Sequence, residues 1–298
     1  MLIGTVLVVA ALAQAPPPQA RAPQRDETVN VRRGSRLIVN NFAGEVVIHT
    51  WDKDSLHIVA RHQNRTKVEI KQSPSSVSIS ASGEMGPAGS VDYDITAPSW
   101  MPVKVDGTYC FITVDGTQAE VTAESVRGDI TIKGGTGFVT AKSVEGSVVV
   151  DGTRGKLTVS SVNEHVDITD ASGDITADAI NGGIQLQRIA SKSVEVSTVN
   201  GTIGYQGSIA DGGHYSFATH NGNVLLDVPE NANATVSVRT YSGSFHSAFA
   251  ALQPPNRSEM QRGKRVTMTM GNGSADVTLE SFGGTIRVGP GVVAREKR

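Results

Sequence analysis

Ser125-Val126-Arg127-Gly128-Asp129-Ile130-Thr131-Ile132 returns almost at once as Ser143-Val144-Glu145-Gly146-Ser147-Val148-Val149-Val150. Aligned on its turn glycine, the unit recurs at Gly128, Gly146, Glu164, Gly182, Gly201, Gly222, Gly243 and Gly284. The last interval is twice as long as the others and reads as two periods. A period near 20 is the mark of a stacked repeat, because each unit leaves an apolar face that only its neighbours can cover.

Each unit carries two stretches of period-two alternation. After the turn come Ile130 and Ile132, Val148 and Val150, Val166 and Ile168, Ile184 and Leu186. Half a repeat away stand Val121 and Ala123, Val139 and Ala141, Leu157 and Val159, Ile175 and Ala177. These are strands with one buried side. Between the second set lie Thr122, Thr140, Thr158 and Thr176, one per repeat at a constant offset. If equivalent strands of successive coils pair in parallel, these threonines form an outward column with a spacing of about 4.8 Å, and Glu124 meets Lys142 one coil on. Asn181-Gly182, Asn200-Gly201 and Asn221-Gly222 fall at equivalent places, and both residue types tolerate positive φ. Asn-Gly also favours hairpins, so an antiparallel meander is the alternative. Like residues recurring at like offsets favour an all-β, single-domain parallel β-solenoid of ~18–21-residue coils with irregular, capping ends.

The remainder of the chain constrains compartment and chemistry. Leu2–Ala13 is apolar and leads into Pro16-Pro17-Pro18, with small-residue cleavage patterns at Ala11-Leu12-Ala13 and Ala13-Gln14-Ala15. Residues 1–15 are therefore expected to be an export signal and 16–27 a Pro-rich linker, followed by one domain over 28–290 and a charged tail over 291–298. Cys110 is the single cysteine, so no intramolecular disulfide forms and no lipid-accepting cysteine follows the apolar run. It falls one period before Gly128, at a turn position. With 27 Lys+Arg against 29 Asp+Glu, nothing recruits a nucleic-acid backbone. The mature chain is expected to lack a membrane span and to be periplasmic, on the cell surface or secreted, as a monomer or weak oligomer.

The stretches "NNFAGEVVIHTWDKDSLHIVA" and "VPENANATVSVRTYSGSF", the central Ser-Val-x-Gly units and "ADVTLESFGGTIRV" resemble the bacterial putative-adhesin family. That resemblance spans most of residues 28–288 and implies an exported β-solenoid. It brings no catalytic residues. Glu164, where glycine is expected, and residues 246–264, which read as an inserted loop with a short helix, depart from the pattern.

A carbohydrate-acting β-helix needs two carboxylates at a defined separation. Asp151 and Asp170, in turns of adjacent coils with Asp167 and Asp174 nearby, are the catalytic candidates, and no arginine is expected in register with them. If Asp52-Lys53-Asp54 closes a hairpin, His49 and His57 stand opposite each other on one face, a geometry suited to a metal ion but without a third fixed ligand. Gly134-Gly135-Thr136-Gly137 lacks the regularly placed aspartates of calcium-binding rolls. No metal or cofactor is expected. The resulting expectation is a noncatalytic adhesin-like scaffold that offers its threonine column to an envelope glycan or protein, with a polysaccharide lyase or hydrolase, or a self-assembling solenoid, as alternatives.

Overall fold

A computed structural model describes residues 25–293 except 64, 85, 87 and 254–262. The proposed signal, most of the linker and the Arg295–Arg298 end lie outside the described residues. Within them the chain is a parallel β-solenoid, and the meander is excluded by the pairing. Thr136–Ser143 runs parallel to Arg154–Ser161 in the register of one repeat, and Val148–Asp151 runs parallel to both Ile130–Lys133 and Val166–Thr169.

Each coil contributes one strand to each of two walls. The inward residues of both walls, from Val121 and Ile130 through Val224 and Leu226, are buried and form one continuous apolar core. Alternation along strands such as Val121–Arg127 and Val166–Thr169 sends every second residue into it. Towards the carboxyl end the core gains aromatic volume. Tyr205 lies with its ring centroid 5.1 Å from Phe217 and 6.2 Å from Tyr215, and there the repeat lengthens.

The turn glycines are a stack, for a reason other than positive φ. A Cβ on Gly146 would collide with the carbonyl of Gly128; the same relation runs from Gly182 to Glu164, Gly201 to Gly182 and Gly222 to Gly201. Of this column only Gly128 is left-handed, with φ 139°, and the asparagines before the glycines are not. Close approach of one coil's backbone to the next excludes a side chain. The serine of the Ser-Val-x-Gly unit belongs to the same device. Ser125, Ser143, Ser161, Thr198 and Thr219 are buried, and their hydroxyls donate across one coil to the carbonyls of Cys110, Gly128, Gly146, Gly182 and Gly201 at 2.8–3.0 Å. Left-handed backbone lies at the opposite corner, at Gly134, Gly152, Asp170 and Arg188, with φ of 89°, 72°, 52° and 54°.

Order in space departs from order in sequence at both ends. Arg36–Trp51 pairs on one side with Val103–Thr117 and on the other with Ser76–Gly83 and Val91–Pro98, so the first coil in sequence is second in space. At the other end Ala275–Ser281 is inserted between His214–Thr219 and Ala234–Thr240, and Ile286–Val288 between Val224–Asp227 and Phe245–Ser247. The long interval from Gly243 to Gly284 is therefore not two coils in sequence order. Gly284 stacks on Gly222, and Gly243 on Gly284. Antiparallel strands finish each end: Thr66–Gln72, Ser55–His62 and Arg25–Asn30 at one, Arg265–Met270 at the other. Of residues 246–264, the described part holds the end of a short strand and one 3₁₀ turn, Ala250–Leu252.

Candidate functional site

The wall built by Val121–Arg127 and its equivalents, termed the flat wall, carries the threonine column. Thr122, Thr140, Thr158 and Thr176 are partners in successive parallel pairs and half-buried. Lys104 continues the column at one end and Glu195 and Ser216 at the other. Beside it Lys142 Nζ lies 3.6 Å from Glu124 Oε1, a cross-coil pair worth tenths of a kcal/mol at such exposure.

At the opposite corner Asp170 is tied by two 2.7 Å hydrogen bonds to Arg188, one repeat on. This corrects the expectation that no arginine stands in register. The Arg188 hydrogen bonds hold the Asp170 carboxyl below its ordinary value, which suits a permanently ionised partner rather than a proton donor. Asp151 and Asp170 lie in corresponding turns of adjacent coils, one residue out of register: Asp151 pairs with Lys133 and Thr169, and Asp170 follows one residue later. The His49–His57 expectation also changes. Val91–Pro98 lies between their strands, with Thr96 paired to both, so no hairpin joins them. His57 instead meets Asp26 at 2.8 Å.

Parallel stacking assembles one arrangement that no linear motif displays. Ser147 Oγ lies 3.2 Å from His165 Nδ1, and His165 Nε2 lies 3.5 Å from Asp167. A nucleophile of this type needs amide donors aimed at a developing oxyanion. Here the Ser147 amide donates to Asp129 at 2.8 Å and the Val148 amide to the His165 carbonyl at 3.0 Å. The adjacent donors are committed.

Cys110 stands in the turn column, paired with Gly44 and beneath Gly128. Its buried side chain fills space that a Cβ on Gly107 would invade. Burial pushes its thiol up to about 11, against nucleophilic use at neutral pH. Among the described residues no group of three or more His, Cys, Asp or Glu is placed to hold a metal ion, and no helix is long and apolar enough to cross a membrane.

The most unusual surface lies at the glycine corner, two positions before the turn glycine. Val126, Val144, Ile180 and Val199 point outward and are 41–50 % exposed, with half-buried Val162 between them. Backbone bonds fix the succession: Asn163 to the Val144 carbonyl (3.1 Å), Asn181 to Val162 (2.8 Å), Asn200 to Ile180 (2.7 Å), and Asn221 to Val199 (2.7 Å). The line continues through His220, Phe282 and Tyr241, whose rings stack at centroid distances of 4.7 and 5.0 Å, and at the other end through Thr108 to exposed Phe42. Alongside runs a second ladder, in which the amides of Asn163, Asn181, Asn200 and Asn221 are joined end to end at 2.9–3.0 Å. Asn181, Asn200 and Asn221 were singled out from sequence as turn residues but not as a ladder, and the apolar line was not singled out at all. The signal was present: Val121, Ala123 and Ser125 face inward, so parity sends Val126 out.

A solved structure described as "a putative cell adhesion protein from Clostridium sporogenes ATCC 15579" shares 10 % identity, covering 90 % of this chain and 100 % of its own, at a TM-score of 0.21. That degree of likeness carries no argument about this chain's function. A search of curated proteins returns no match. A family profile does match, over residues 24–289, and with the stacked coils it agrees with the resemblance read from the repeat units: the chain belongs to the Toastrack DUF4097 family.

Proposed function

We propose that the chain is a noncatalytic, exported adhesion-type scaffold that offers its flat wall to an extended glycan or protein at the cell envelope. The observation that supports this is the in-register column Thr122, Thr140, Thr158 and Thr176, one hydroxyl-bearing side chain per coil at a spacing of about 4.8 Å. A rigid row of identical polar groups suits a polymer that repeats along its length. Residues 1–15 act as the export signal and 16–27 as a spacer, placing residues 28–290 in the periplasm, on the surface or outside the cell. The function needs no cofactor or metal.

The test is to incubate purified protein with a panel of envelope and matrix polysaccharides, recording bound protein and released sugar together. Binding without release, weakened when Thr140 and Thr158 are both replaced by Lys, is the expected result. Release of reducing or unsaturated ends would overturn the reading and make Asp151 and Asp170 the first residues to replace. Retention in the cytoplasm of the full-length chain would overturn the export step.

A further inference from the structure

The apolar line at the glycine corner has properties that narrow what covers it. It holds one side chain per coil over ten successive coils, from Phe42 to Tyr241, and so extends about 43 Å at about 4.8 Å per strand. Apart from Phe282, the residues of the line exposed by 41–50 %, Val126, Val144, Ile180 and Val199, are all β-branched and aliphatic. Their χ1 is restricted, so little side-chain freedom is lost when they are covered. On one side the line borders a shallow groove in which Val126, Val144 and Val162 face Asp106, Glu124 and Lys142. On the other side the flanking row runs from the ion pair of Arg127 and Glu145, beside Val126 and Val144, into the four-membered asparagine ladder, which carries no charge and whose amides already satisfy one another. Covering the asparagine stretch of that side desolvates no ion.

We propose that this corner is an interface between two copies of the chain, lying side by side with line against line. A second copy is the partner whose side chains repeat at the same interval over the same length, so that each residue settles between two of its counterparts. The ridge of one copy is also offered the groove of the other. The line with its flanking rows covers a footprint about 43 Å by about 15 Å, of the order of the ~800 Å² per partner of a standard stable interface. A twofold arrangement uses the same surface on both partners and closes at two copies. The inference stands apart from the glycan reading, since the threonine column is on the flat wall and remains uncovered.

Sedimentation velocity across a concentration series tests it, with the wild-type protein, the double variant V144K/I180K, and the flat-wall double variant T140K/T158K. The wild type and the flat-wall variant are expected to dimerise, and V144K/I180K to dissociate with a constant raised about a hundredfold or more. Circular dichroism is expected to be unchanged, because both replaced side chains already face solvent. A second variant, Val162→Cys, reads the contact directly. With Cys110 buried, mild oxidation is expected to yield a covalent dimer through residue 162 alone. A wild type that stays monomeric throughout, a dimer indifferent to V144K/I180K, or a wild type that floats with neutral phospholipid vesicles as a monomer would overturn the proposal.

Discussion

Between Val103 and Asp227 each coil rests on the coil before it in sequence, whereas at the two ends the outer coils are threaded out of order and finished by antiparallel strands. Both regions use the same packing: inward aliphatic residues, stacked turn backbones, and hydroxyls donating to carbonyls one coil away. They differ in connectivity. The middle grows by local repetition, and an open stack of that kind ends in a row of unpaired amides and carbonyls that invites further strands. The ends close the stack by inserting the coil formed by Arg36–Trp51, and the one formed by Ala275–Val288, one place inside the outermost coil. The repeat accounts for length and the insertions for finiteness.

The largest expected effect contrasts two deletions of one coil each. Removing residues 147–164 joins Gly146 to His165 and restores the motif in register, so the variant is expected to remain strand-rich and to unfold cooperatively. Removing residues 275–289 deprives His214–Thr219 and Ala234–Thr240 of their shared partner and strips out buried Val277, Leu279, Ile286 and Val288. The expected loss exceeds ~5 kcal/mol, since each large side chain removed from a core costs ~2–5 kcal/mol, and the region should aggregate or melt first in a thermal scan. Equal behaviour of the two deletions would break the comparison.

Smaller effects sharpen it. Gly201→Ala in the middle and Gly243→Ala in the outermost coil each force a Cβ into the carbonyl of the coil below, and both are expected to lose ~1–3 kcal/mol or more in denaturant titration. Matching losses would show that packing is shared and connectivity alone differs. Next comes a gain. Ala179 stands where Ser125, Ser143 and Ser161 donate across one coil, so Ala179→Ser is expected to add ~1 kcal/mol through a new bond to the Glu164 carbonyl. The smallest effect concerns Asp170. Its carboxyl is held below the ordinary value by hydrogen bonding to Arg188, so its contribution is full above the unfolded-state pKa and is lost as pH falls through the folded one. Asp170→Asn is expected to flatten the acid limb of the stability profile: a small loss at neutral pH that vanishes once the wild-type carboxyl is protonated.

What the sequence discloses follows the same division. Ile130, Val148, Val166 and Ile184 announce their burial and register because their partners lie one period away. The order of the end coils was hidden, because Leu37 pairs with Val77 and Val103, partners that no local pattern links to it. The glycine column was located correctly but for the wrong cause, since close backbone approach and positive φ select the same residue. Arg188 escaped notice because its left-handed backbone at φ 54° is the kind normally left to glycine or asparagine. The apolar line was concealed in plain repetition: Val126 and Val144 read as strand residues until the parity of their neighbours turned them outward.

The insertions also decide how the molecule bears load. Tension entering at Arg25 first strips a single edge strand, then reaches Arg36–Trp51, which is gripped on both sides. Tension leaving through Val293 meets the same obstacle in Ala275–Ser281 and Ile286–Val288. A simple stack would unravel one coil at a time, each release requiring little force. Here two rows of backbone bonds must slide together before any interior coil is disturbed, so the rod resists pulling as a latched strap does and gives way late, in few large steps.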